Sequence, residues 1–133
     1  MGQKRKAETL INLIEKFAET SKESAVIVEG KKDVLALRRL GVRGKIISIK
    51  NRGYTFSETI EELANMQTSV IIMTDFDRYG SGLAKKLLIS LTEKRIKVNL
   101  SFWKQIKSLA RSDVKDVESL PKFMERLKNT LEL

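Results

Sequence analysis

The chain has 133 residues, 41% of them hydrophobic and 32% charged, which are the proportions of one folded domain large enough to bury a real core. It contains no cysteine and no histidine. That excludes disulfide scaffolds, thiolate zinc sites, iron–sulfur clusters, Ser-His-Asp triads and any histidine ligand or general base. Catalysis is left to carboxylates, lysine, arginine, tyrosine and hydroxyls, and any metal site to oxygen ligands, which favours magnesium, manganese or calcium. The 26 basic against 17 acidic residues give a net charge of +9, a balance that points to an anionic partner, nucleic acid ahead of a membrane. No apolar core follows the basic residues of MGQKRKAETL, and no run approaches membrane-spanning length. The expectation is an intracellular, cytoplasmic protein with no membrane partner.

In chain order, Leu10, Leu13, Ile14 and Phe17 recur at helical spacing, so residues 5–20 read as an amphipathic helix. Residues 1–23 are read as an N-terminal helix packed on the domain formed by 24–133. Ala25 to Val28 is a buried strand ending at Glu29-Gly30. Asp33 to Leu40 reads as a helix stopped by Gly41. Lys45 to Ile49 is a second strand, and Asn51-Arg52-Gly53 a loop. Ser57 is the expected cap of a helix reaching Ala64, with Glu58, Glu61 and Glu62 placed in its early turns. Val70 to Met73 is a third buried strand, ending at Thr74-Asp75. Gly80 to Arg95 reads as a helix with Leu83, Leu87, Leu88 and Leu91 on one face. Lys97 to Phe102 alternates like a fourth strand, and Phe102–Ala110 and Pro121–Leu131 read as helices, Pro121 standing at the start of the last. Apolar strands alternating with helices imply an α/β fold: a Rossmann-like parallel sheet of about four strands with helices on both faces.

In open α/β sheets, function collects at the carboxyl ends of the strands. Two inferred strands end in acid, the first in Glu29-Gly30-Lys31-Lys32-Asp33 and the third in Asp75-Phe76-Asp77-Arg78-Tyr79-Gly80. If those strands are neighbours, Glu29, Asp75 and Asp77 meet at one edge. Clustered carboxylates repel one another unless a cation sits among them, and Mg2+ (or Mn2+) suits an oxygen-only site beside phosphate. Gly30 and Gly80 would let a phosphate or the backbone come close. The bland alternatives are a Glu29 salt bridge to Lys31 or Lys32, and Asp77 acting only as a helix cap.

These two motifs resemble the Toprim domain, which is shared by topoisomerases, bacterial-type primases, some nucleases and recombination proteins. Its pattern is a glutamate after the first strand, often Glu-Gly-x-x-Asp, and Asp-x-Asp-x-x-Gly after the third. The resemblance covers about residues 24–120. Ser69 to Asp75 looks closest to the small ribonucleases that mature 5S ribosomal RNA and to compact stand-alone archaeal Toprim proteins. The resemblance implies that Asp75 and Asp77 are magnesium ligands, that Glu29 is the general acid or base or a shared ligand, and that Asp33 supports a helix start. Phe76 and Tyr79 depart from the common pattern. Tyr54 and Tyr79 are the only tyrosines, and no second domain carries a strand-cleaving tyrosine, which argues against a topoisomerase. The absence of cysteine argues against a primase-type zinc module.

Between residues 81 and 112, eight basic side chains face one acid. A bias of one sign reads as phosphate contact more readily than as a merely solvated face. Lys32, Asn51, Arg52, Arg78, Lys85 and Lys86 are the candidate nucleic-acid contacts. Phe102 and Trp103 read as a buried strand-end pair. The acids of residues 112–119 read as a capped turn before the last helix, and the first helix reads as core packing or a dimer face. Together these readings lead to Mg2+-dependent phosphodiester chemistry on nucleic acid, a small Toprim nuclease acting on RNA ahead of DNA. The alternative is a non-catalytic nucleic-acid-binding module, as a homodimer or within a larger RNA-processing or DNA-repair assembly. A phospho-receiver domain fits poorly, because that class has paired acids after its first strand and a single aspartate after its third.

Overall fold

The computed structural model describes residues 2–50, 53–110 and 112–131. Three continuous apolar runs form strands β1 (Ser24–Val28), β2 (Lys45–Ser48) and β3 (Ser69–Ile72), and a short β4 (Val98–Asn99) completes the sheet. All pairings are parallel, in the order β2-β1-β3-β4. β1 and β3 are central. Ala25 to Val28 and Val70 to Met73 are almost wholly buried, as β-branched runs covered on both faces should be. Edge strand β2 buries only Ile47 fully, and its flanking residues stay partly open.

Helices α1 (Gln3–Thr20), α2 (Lys31–Arg39), α3 (Phe56–Asn65), α4 (Arg78–Glu93), α5 (Ser101–Ala110) and α6 (Leu120–Leu131) cover the sheet. Right-handed crossovers place α2 on one face and α3 and α4 on the other, because the chain steps outward from β1 to β2 and then back across β1 to β3. Contacts agree with this: α3 packs on α4, while α1 packs on α5 and α6, and α2 packs on α6. α1 buries Ala7, Leu10, Leu13, Ile14 and Phe17 on one stripe, and the Phe17 and Phe102 rings meet at 5.5 Å between centroids. Each such large apolar side chain taken from water contributes about 1.5–3 kcal/mol. No helix among the described residues is long and apolar enough to cross a membrane.

Three local expectations need correction. Thr55, not Ser57, caps α3: its hydroxyl accepts from the Glu58 N–H at 3.1 Å and Glu58 Oε1 accepts from the Thr55 N–H at 2.8 Å. This reciprocal capping box outcompetes a cap two residues later. The fourth strand has two residues rather than six. Asn99 Oδ1 accepts from the Ser101 N–H at 2.9 Å and turns the chain into α5, where Phe102, Trp103, Ile106 and Ala110 are buried at helical spacing. Phe102 and Trp103 are therefore buried on a helix, not at a strand end. Third, α6 opens at Leu120, so Pro121 is its second residue and not its first; the capped turn expected before it is the 3₁₀ turn Val117–Ser119, with Asp116 as its cap. The fold otherwise follows the sequence, including Gly41, whose φ of +98° ends the α2 connection as a side chain would not readily allow.

Candidate functional site

The order β2-β1-β3-β4 puts the topological switch between β1 and β3, where open α/β sheets hold their ligands. The Ile27–Ile72 register sets Glu29 level with Thr74, one residue before Asp75. The two acids are joined there. The Asp75 N–H donates to Glu29 Oε2 at 2.9 Å, and Glu29 is only 5% exposed. On its other side, Glu29 Oε1 lies 3.8 Å from Lys50 Nζ, which also sits 5.3 Å from the centre of the Tyr79 ring. The partner of Glu29 is thus Lys50, at the end of β2, and not Lys31 or Lys32, which point to solvent.

Two turns fix the remaining acids. Asp33 lies in the first turn of α2, is buried, and accepts from the Gly30 N–H at 3.0 Å. Asp77 caps α4, with Oδ1 accepting from the Gly80 N–H at 2.7 Å. The capping reading of Asp77 therefore holds, and it leaves Asp77 Oδ2 without a hydrogen-bond partner among the described residues. Gly80 is required by close approach: a Cβ there would lie 2.0 Å from the carbonyl oxygen of Asp75. Gly30 is different. A Cβ there would meet nothing within 4 Å, so its neighbourhood is open to a ligand but does not demand glycine. Behind the acids, the Thr74 hydroxyl donates to the Gly80 carbonyl at 2.8 Å, and Trp103 Nε1 donates to the Thr74 carbonyl at 2.8 Å.

Sequence reasoning missed the contribution of the segment before α6. The Val117 N–H donates to Asp75 Oδ1 at 2.9 Å, and the Phe76 N–H donates to the Lys115 carbonyl at 2.8 Å. This brings Asp116 and Glu118 close enough to act on the acids at the sheet edge. Burial is the largest influence on Asp75 and, with Asp33, Asp116 and Asp77 repelling its charge, lifts its pKa from an ordinary 3.8 to about 6 against the Val117 hydrogen bond. Glu29 is raised mainly by burial, with Asp75 and Asp77 adding to it and the Asp75 N–H and Lys50 opposing. Asp33 is raised by burial too, with Glu29, Glu118 and Asp116 as its charged neighbours. The edge is a crowd of mutually repelling oxygens, and such a donor set fits a hard divalent cation. Among the described residues no three acidic side chains are already drawn together as a metal-holding group; Asp75 and Asp77 each turn one oxygen to a backbone N–H.

The basic residues divide by place. Arg78, Ser81 and Lys85 share one stripe of α4 by their spacing of three and seven residues, whereas Lys86 is drawn over the Phe56 ring of α3, 4.1 Å from its centre. Lys94 pairs with Glu61. Lys32 is exposed on the first turn of α2. Asn51 and Arg52 lie outside the described residues.

A parallel α/β sheet with a glutamate after β1 and an Asp-x-Asp-x-x-Gly turn after β3 defines a Toprim-type domain. The family model for the Toprim domain matches residues 24–101, and the chain belongs to that family. Its relatives include a UPF0292 protein of Thermococcus kodakarensis, 43% identical over 83% of this chain and 79% of the relative. Others are a UPF0292 protein of Methanosarcina acetivorans (35% identical, 95% of this chain and 87% of the relative) and one of Methanocaldococcus jannaschii (36%, 90% and 92%). A solved structure of a protein from Aquifex aeolicus shares the fold, with a TM-score of 0.68 at 22% identity over 81% of this chain and 94% of that one. The family suggests a metal-dependent function on nucleic acid.

Proposed function

We propose that this protein is a Mg2+-dependent nuclease that hydrolyses a phosphodiester bond, in RNA ahead of DNA. The observation that carries the proposal is the Glu29–Asp75 contact at the β1/β3 switch, in a family tied to nucleic acid. Glu29, Asp75 and Asp77 would hold Mg2+ (or Mn2+), through oxygens that include Asp75 Oδ2 and Asp77 Oδ2. When bound, the ion supplies charge stabilisation to a nonbridging phosphate oxygen. Glu29, with no histidine in the chain to replace it, takes the proton of the attacking water. The water oxygen bonds to phosphorus as the bond to the leaving oxygen breaks, and the proton returns to that oxygen directly or through solvent. Lys50 keeps Glu29 in place, and the exposed Arg78, Lys85 and Lys32 would contact backbone phosphates. The likeness of Ser69–Asp75 to the ribonucleases of 5S ribosomal RNA supports RNA as substrate.

A second reading, a non-catalytic nucleic-acid-binding module, is favoured by the commitment of Asp77 to its helix cap. One experiment separates them: cleavage of labelled RNA and DNA with Mg2+ or Mn2+, wild type beside Glu29→Gln. Metal-dependent cleavage lost in the variant is the expected result. Salt-sensitive binding without cleavage of any substrate would move the assignment to the binding module.

A further inference from the structure

Lys107 on α5 reaches across to α4. Its Nζ donates to Ser81 Oγ at 2.8 Å and stands 5.0 Å from the centre of the Trp103 ring. No carboxylate among the described residues pairs with it. The hydroxyl of Ser81 accepts from the lysine, so its own proton is left to point at another acceptor. The ammonium keeps donors to spare beside the Ser81 hydroxyl, and it borders a shallow cavity of about 330 Å3 lined by Trp103, Lys104, Lys107 and Ser108. Trp103 is itself anchored through Thr74, so the ammonium is held on a rigid base rather than on a free side chain. Most of the mobility a lysine loses when it binds an anion has already been given up.

The place matters as much as the chemistry. The Ser81 N–H donates to the Asp77 carbonyl at 2.9 Å, so Lys107 is docked on the same first turn of α4 that Asp77 caps. Arg78 and Lys85 continue the positive stripe along α4, and Lys104 lies one turn before Lys107 on α5.

We propose that Lys107 and Ser81, backed by Trp103, form the seat for a phosphate that flanks the one placed at the acids, so that a nucleic-acid strand leaves the sheet edge between α4 and α5. The proposal rests on the nucleic-acid reading above. Its occupant is a backbone phosphate. Trp103 is too buried to stack on a base.

The test uses Lys107→Met, which keeps the stem over the ring, and Lys107→Arg, which keeps the charge. Affinity for a labelled single-stranded RNA is measured across salt in a chelator, with thermal melting alongside. We expect Lys107→Met to weaken binding several-fold and to lower the slope of log K against log salt by about 0.7, the loss of one phosphate contact on a single strand. Lys107→Arg restores both. An unchanged slope in Lys107→Met overturns the seat, whatever happens to melting, because a merely structural brace would move only the melting temperature. If the wild type binds RNA but cleaves nothing with Mg2+, the nuclease reading fails and the slope still decides the seat. If it binds neither RNA nor DNA, both fail.

Discussion

Replacing Asp75 by asparagine should make the protein more stable at neutral pH while removing its proposed activity. Asparagine keeps an oxygen to accept from the Val117 N–H and loses the charge that Asp33, Asp116 and Asp77 repel. A pKa lifted from 3.8 to about 6 means that the folded protein holds this proton more tightly than the unfolded chain does. By linkage, the contribution of Asp75 to stability is most favourable below about pH 4 and is lost as the pH rises through about 6. The full displacement would correspond to about 3 kcal/mol; solvent reaching this half-buried group reduces that to about 1–2 kcal/mol. For a domain of this size the variant should melt about 3–8 °C above wild type at pH 8. At pH 4 the two should nearly coincide. Differential scanning calorimetry at both pH values, without divalent metal, measures this. A variant that melts below wild type at pH 8, or a difference independent of pH, would refute the electrostatic account of the site. Mg2+ provides the complement: it should raise the wild-type melting temperature at pH 8, by about 2.7 kcal/mol of stability at a hundredfold excess over its Kd, and leave Asp75→Asn nearly unmoved.

Other perturbations probe the frame around the acids. Gly80→Ala sets a methyl group against the Asp75 carbonyl, backbone that cannot step aside, and should cost about 1–3 kcal/mol or more, seen as a lower urea midpoint with an unchanged slope. Trp103→Phe leaves the buried Thr74 carbonyl without its donor and should cost about 1–3 kcal/mol by far-UV circular dichroism; a neutral result would mean that this hydrogen bond does not brace the site. Thr55→Ala removes one half of the α3 capping box and should cost about 0.5–2 kcal/mol, whereas Ser57→Ala should have little effect.

The sheet and its acids were legible because each depends on local pattern. β1 and β3 are unbroken apolar runs, so their ends, and hence Glu29 and Asp75, are marked by the first charged residue after each. Gly80 was legible as a place of close approach, though the atom it makes room for was not. What the local pattern concealed was contact at long range. The Asp75 N–H finds Glu29 across 46 positions and the Val117 N–H finds Asp75 across 42, and no periodicity records either. Lys50 was passed over for Lys31 and Lys32 because these stand nearer Glu29 in the chain, while the parallel register brings the end of β2 beside it. The alternation of Lys97–Phe102 misled because a two-residue strand and the opening of an apolar helix share it.

Val117 lies 16 positions beyond the last residue of the family match, which ends at 101. A fragment trimmed to the matched boundaries would retain Glu29, Asp75 and Asp77, the entire recognisable signature. It would lack the amide that fixes one oxygen of Asp75, and it would lack Trp103 beneath Thr74. The stretch of chain that holds Asp75 in this arrangement is therefore longer than the signature, and comparisons of trimmed Toprim segments would miss the part that sets how this aspartate is oriented.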